Sequence, residues 1–298
     1  MYSADQLLNP ISPDQPAGED LAFSPELDAI IQARKFDDPS LDQGEWVTDL
    51  KEADWDFVVQ RCAALLEKKS KDLRLAVWLT EAGAKQYNMR GLAEGLRVLA
   101  GLFDQFWDQG LFPESEDGDH DQRIGNLSWI LSQIPTLVRE MPITDGSKGA
   151  WSLLDFDTVR KQGDSDGRKL ADMEAARSQT SAAFRTLFAA DTKAALDALA
   201  QLERAADKRL GNDSPGFVNA RDALDGMVHL IPAPAAEAPV TSAPTAADGV
   251  AGEAGHIAVA QAPSGPPGAI THRTQAIAQL RAVAEFFRRT EPHSPVSY

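Results

Sequence analysis

Apolar side chains recur every three or four residues through most of the first 230 positions, and they hardly anywhere alternate singly. That spacing predicts helices, each with one buried stripe. Ser24-Pro25-Glu26 reads as a helix start, a hydroxyl cap followed by proline where its missing N–H does no harm. Leu27, Ile30 and Ile31 then share a face. Asp54 is placed to cap a second helix, with Trp55, Val58, Val59, Cys62, Leu65 and Leu66 on its stripe. Ser70 and Asp72 sit at the start of a third, followed by Leu75, Ala76, Trp78, Leu79 and Ala82. A fourth runs from about Arg90 to Phe106, and a fifth from about Asp121 through Ile124, Leu127, Ile130, Leu131 and Ile134. Further on, Asp191 reads as the cap of a helix carrying Leu196, Leu199, Leu202 and Leu210, stopped by Gly211. Ser214-Pro215 reads as the start of another, with Phe217, Val218, Arg221, Leu224 and Val228. The expected class is all-α, with short loops favouring antiparallel neighbours.

Composition divides this helical pattern. All six tryptophans (46, 55, 78, 107, 129, 151) fall in the first 151 residues, which points to a compact domain over about 1–160. Residues 168–231 are built mainly on Ala and Leu and read as a smaller middle unit. From Pro232 to Gly268 the chain is rich in Pro, Ala and Gly, with too little apolar bulk to fold, so 232–268 reads as an extended linker. Residues 269–298 follow, with four Arg against two Glu. There Ile277, Leu280, Ala284 and Phe287 repeat at helical spacing, so they form a stripe on a helix of about 18 residues. A lone amphipathic helix of that length is marginal in water and must bury its stripe against something, which makes these four residues the expected self-association contact.

Charge narrows the partners. The 298 residues carry a formal net charge of -16, and residues 1–120 alone hold 24 acidic against 11 basic side chains. Phosphate would be repelled over most of that surface, which argues against nucleic acid and anionic membrane as partners. No run approaches 18 uninterrupted apolar residues and Met1–Pro16 lacks the features of a secretory signal, so neither membrane insertion nor export is expected. The single cysteine, Cys62, excludes an internal disulfide and suits a reducing cytoplasm. It lies on an apolar stripe and reads as an inert buried thiol.

Chemistry is hard to assemble from the rest. Phosphate-loop, dinucleotide-binding, zinc-protease and nucleophile-elbow patterns do not occur, and no two of the five histidines have helical i, i+4 spacing. Asp117, Asp119 and Asp121 match the first three ligand positions of a calcium loop, but Gln122 stands where its glycine belongs and Ser128 where its glutamate belongs. The loop reads instead as solvated acid at a helix N-terminus. Ser70-Lys71-Asp72 places hydroxyl, amine and carboxylate together, yet neighbouring helical residues do not face one another. The reading is no catalytic residue, no metal and no cofactor.

Six short motifs occur in order: Asn9-Pro-Ile-Ser-Pro13, Pro16-Ala-Gly-Glu-Asp-Leu21, Gln43-Gly-Glu-Trp46, Ala53-Asp-Trp55, Ser70-Lys-Asp-Leu73, and Glu116-Asp-Gly-Asp119 with Arg123. Together they resemble the ImpA-type N-terminal domain of TssA proteins from bacterial type VI secretion systems, over roughly residues 5–140. Arg273-x-x-Ala-Ile277, Phe286-Phe287 and Glu291-Pro-His-Ser-Pro-Val296 resemble the region after the linker in the same family. In the family that last segment is followed by further helices that assemble into a ring or star. Here the sequence stops at Tyr298, so an incomplete oligomerisation region is expected.

The resemblance implies a non-enzymatic assembly protein contacting baseplate, sheath and tube proteins, extending to the membrane complex, and forming homo-oligomers. The motif residues read mainly as structural, with Arg123 near enough to pair with Asp117 or Asp119. Partner docking through Trp46, Asp54, Trp55, Ser70, Lys71, Asp72, Asp117, Asp119 and Arg123 is the functional alternative. Two rival readings stand beside it: a soluble helical adaptor outside secretion, and a hydrolase using the acidic loop.

Overall fold

The computed structural model describes residues 1–37, 50–114, 118–146, 149–164 and 168–231. Trp46, Asp117, the expected linker and the stripe at Ile277, Leu280, Ala284 and Phe287 lie outside them. The described chain is all-α, and its only strand-like features are isolated bridges. The helices are α1 (Ala4–Leu7), α2 (Pro25–Arg34), α3 (Trp55–Lys68), α4 (Leu73–Gly101), α5 (Asp121–Glu140), α6 (Leu153–Gln162), α7 (Leu170–Ser178), α8 (Ala182–Leu210) and α9 (Val218–Leu230).

Most starts follow the sequence signals. Ser24 accepts from Glu26 N at 3.3 Å with Pro25 in the first position, Asp54 accepts from Phe57 N at 2.9 Å, and Asp72 accepts from Arg74 N at 2.8 Å. Two expected starts are displaced. Asp191 sits inside α8, which begins nine residues earlier at Ala182, where the Ser181 hydroxyl takes Phe184 N at 3.2 Å. The serine cap and an unbroken run of helix formers extend the helix past the carboxylate that resembled a cap. Ser214-Pro215 lies in extended chain ahead of α9, whose flanking residue is Phe217. Ser70 is no cap either, since its buried hydroxyl has no hydrogen-bond partner and Asp72 alone fills that role.

The centre of the fold is α4, broken at Asn88, where φ is 53° and ψ is -137°. The break lets arms 73–87 and 89–101 fold back on each other. A side chain added at Gly91 would meet Gly83 O at 1.9 Å, and one at Gly95 would meet Thr80 Cα at 2.6 Å. In an unbroken helix residues 80 and 95 would stand about 22 Å apart. Tyr2 pins the crossing, donating to Gly91 O at 3.2 Å. A π-helical turn, Leu102–Phe106, then turns Leu102, Phe103 and Phe106 into the core.

Helix α3 packs on α4 through Val58, Val59, Cys62, Leu65 and Leu66, all buried. Helix α5 also packs on α4, and α9 covers α5 and α8. Helix α8 lies against α4 with Ala195, Ala198, Leu199, Leu202, Ala205 and Ala206 buried. Those small side chains let two helix backbones approach closely. The expected boundary near 160–168 therefore falls inside one compact unit, Met1–Ala238, in which the Trp-rich and Ala-rich helices share a core. Among the described residues no helix is long and apolar enough to cross a membrane.

Candidate docking surface and the buried hub beneath it

The Ser70-Lys71-Asp72 motif spans the break between α3 and α4, and all three residues are fully buried. Their backbone joins three segments. Lys69 O accepts from Glu19 N at 3.0 Å and Lys71 N donates to Ala17 O at 2.7 Å. Lys71 O accepts from Phe112 N at 3.0 Å and Phe112 O accepts from Leu73 N at 2.8 Å. Gly18, at φ +78°, is required here, because a Cβ would stand 2.0 Å from Lys69 O.

Lys71 Nζ donates to Leu7 O at 2.7 Å and Leu66 O at 2.6 Å, and lies 5.5 Å from the centre of the Phe106 ring. Those carbonyls belong to the last turns of α1 and α3, which lack helical partners and carry partial negative charge. One ammonium thus ties two helix ends to the π turn. Burial pulls its pKa down to about 8, against the nearby Glu67 carboxylate. Asp72, besides capping α4, takes Arg74 through both oxygens, Nε at 3.0 Å and Nη2 at 2.6 Å, and Arg74 reaches Asp20 at 3.2 Å. The hub joins the second motif to the fifth.

The other predicted site residues separate into frame and surface. Arg123 is 5% exposed and makes no ion pair with Asp119. It donates instead to Pro113 O at 2.8 Å and Leu111 O at 2.6 Å, with its guanidinium 4.5 Å from the Trp107 ring centre. Two buried carbonyls with no other donor outbid a solvated carboxylate. Burial holds the Arg123 pKa below its ordinary value. Asp119 is exposed, and its Oδ1 accepts from Asp121 N at 2.7 Å, supplying the start of α5 with the cap that His120 does not provide. Asp54 is spent on capping α3. Trp55 is half-buried, with Lys85 Nζ 5.9 Å from its ring centre, and lines a groove with Phe36 and Leu50. Cys62 is fully buried, and that burial pushes its thiol pKa well up, as an inert thiol requires.

Sequence reasoning passed over one cation site. Arg34, at the end of α2, lies between Trp78 and Trp129, 5.2 and 4.9 Å from their ring centres, and pairs with Glu81 at 2.7 Å. Trp78 and Glu81 stand three apart on α4, so one face carrying an aromatic and an acid was the visible signal. Among the described residues no group of three or more His, Cys, Asp or Glu could hold a metal ion.

The family described as ImpA, N-terminal, type VI secretion system, matches residues 8–132, which contain the hub, Asp54, Trp55, Asp119 and Arg123. A solved N-terminal domain that includes the conserved ImpA_N region of the TssA component from Burkholderia cenocepacia is 38% identical, with a TM-score of 0.68. That match covers 78% of this chain and 93% of the solved one. The chain belongs to the TssA family of type VI secretion components. The type VI secretion system component TssA1 of Pseudomonas aeruginosa is 28% identical over 99% of this chain and 89% of its own length. In this TssA-family chain one of the motifs that carry the likeness is interior: Ser70, Lys71 and Asp72 present nothing to a partner while folded.

Proposed function

We propose that the chain is a non-enzymatic assembly protein of the type VI apparatus, working in the bacterial cytoplasm and bringing baseplate to tail tube and sheath through protein contacts. The observation that carries this reading is the use of the shared motif polar groups. Lys71, Asp72 and Arg123 spend their hydrogen-bonding capacity on backbone carbonyls, a helix cap and Arg74, rather than converging on a cavity where a substrate could sit. A rigid scaffold of this kind leaves recognition to exposed positions such as Asp119 and the edge of Trp55. The membrane complex is a further partner in this reading. Residues 232–268 serve as tether and 269–298 as self-association region, through Ile277, Leu280, Ala284 and Phe287.

The test is pairwise binding of the purified chain to the purified baseplate, sheath and tube subunits of its own organism. Saturable binding to at least one is expected, and binding to none overturns the assembly role. Light scattering on Leu280→Asp with Phe287→Asp tests the second part: the mass should fall to that of one chain, and an unchanged mass removes those residues as the contact.

A further inference from the structure

Arginines in this acidic chain normally sit on carboxylates. Arg34, Arg61, Arg139, Arg160 and Arg209 each meet one. Arg177 near the end of α7 and Arg185 in the first turns of α8 do not. Both are half-buried, neither makes an ion pair among the described residues, and both line the same cavity of about 340 Å³. The one contact between them is Arg185 Nη2 to Arg177 O at 3.4 Å, a long bond that leaves most of the guanidinium donors unused. The hydroxyl protons nearby are already committed, Ser178 to Ala175 O at 2.8 Å and Thr180 to Ala176 O at 3.0 Å. The carboxylate of Glu174 also borders the cavity, but it is held by Arg160 at 3.0 Å. The remaining wall is apolar, formed by Ile143, Leu230 and Ile231.

We infer that this cavity binds the carboxyl terminus of a protein chain whose last side chain is apolar. The nearby acids are engaged elsewhere, Glu174 on Arg160 and Asp145 on Ser181 N at 2.9 Å, so two guanidiniums that form no ion pair among the described residues are matched by one incoming carboxylate, whose two oxygens can each take N–H donors from a fork. The adjoining aliphatic wall then calls for a ligand with an apolar group next to its carboxylate, which a chain end supplies and a bare inorganic anion does not. The volume lies at the small end of ligand pockets, enough for a terminal residue and too little for a large cofactor. This inference is independent of the assembly role.

The experiment follows the arginine Nε–H signals of the full, isotope-labelled chain during titration with acetyl-Ala-Ala-Leu. Its C-terminal amide and inorganic phosphate serve as the other two probes. Saturable shifts of the Arg177 and Arg185 signals are expected with the free acid, at least about tenfold weaker binding with the amide, and loss of binding in Arg177→Gln with Arg185→Gln. Equal binding of acid and amide overturns the carboxylate assignment. Phosphate binding as tight as the peptide overturns the chain-terminus assignment, and so does the lack of any saturable shift. If the double variant fails to melt like the parent chain, the acid and amide probes on the parent chain decide alone.

Discussion

Helix α4 meets α3 on one side and α8 on another, and the two contacts are built differently. Between α3 and α4 the apolar stripe is backed by a polar hub: Lys71 across two helix ends, Asp72 on Arg74, and backbone bonds from residues 17–19 and 112. Between α4 and α8 there are mainly small and branched apolar side chains. One polar clamp sits at the far end, where Arg209 takes Phe103 O and Asp104 O, both at 3.2 Å, and Asp108 at 2.6 Å. The first contact fixes where helices begin and end, because each polar group has one geometry that satisfies it. The second is governed by area and close approach, which are less particular about residue type.

The largest expected effect comes from removing the second contact altogether. A chain ending at residue 164 loses α8 and strips water-excluding cover from α4, including the partners of Leu199 and Leu202. Burying several such side chains is worth roughly 1.5–3 kcal/mol each, so the loss reaches the ~5–15 kcal/mol that holds a domain together. The shortened chain should show no cooperative thermal transition. A sharp melt within a few degrees of the full chain would mean that the Trp-rich helices are a separate domain after all.

Within the first contact, Leu66 is fully buried. Leu66→Ala should cost about 2–5 kcal/mol, read from denaturant unfolding, because the hub holds the surrounding helices and limits collapse into the cavity. A cost under about 1 kcal/mol would show that the α3 side is as adaptable as the α8 side.

Lys71→Met keeps the length of the side chain but leaves two helix-end carbonyls without donors. It should cost about 2–4 kcal/mol at pH 7, part of the loss being offset by removal of a buried charge. The pH dependence separates hub from packing. Burial lowers the folded pKa of Lys71 from 10.5 to about 8. Between those values the unfolded chain holds the proton and the folded chain has shed it, so stability rises with pH across that window. The parent chain should gain about 1–3 kcal/mol relative to Lys71→Met between pH 8 and 10. A constant difference across that range would mean that the carbonyls and the Phe106 ring keep the ammonium charged.

The same contrast explains what the sequence disclosed. Helix periodicity revealed α2 to α5 because their stripes are of large residues with capping side chains at the ends, as at Ser24, Asp54 and Asp72. It misplaced the start of α8, whose alanines make a weak stripe, and it divided the domain because tryptophan content changes where the core does not. The motif residues were visible as a set, but their burial was not. A lysine in a run of Glu67-Lys68-Lys69-Ser70-Lys71 looks solvated, and only the chain crossing at residues 17–19 and 112 encloses it. Arg123 misled for a related reason. Its acidic sequence neighbours suggested an ion pair, while the carbonyls it serves come from a loop that folds back beneath it. Arg177 and Arg185 stand eight apart on different helices, a separation to which no local pattern attaches meaning.

The smallest expected effect tests whether the exposed rim of the motif set belongs to the frame or to docking. Asp119 gives Asp121 N its partner at 2.7 Å, beside the positive end of α5, and is itself exposed. Asn keeps the cap geometry and removes only the charge, so Asp119→Asn should cost no more than about 0.5 kcal/mol, whereas Asp119→Ala should cost about 1 kcal/mol. If the rim also meets a basic partner, Asp119→Asn should slow association with the secretion subunit that binds, and the slowing should fade as salt rises, because a rim charge acts by steering. A fold cost for Asp119→Ala together with unchanged association for Asp119→Asn would assign this carboxylate to the frame alone. It would then join Asp54 and Asp72 as a third motif carboxylate whose work is to begin a helix.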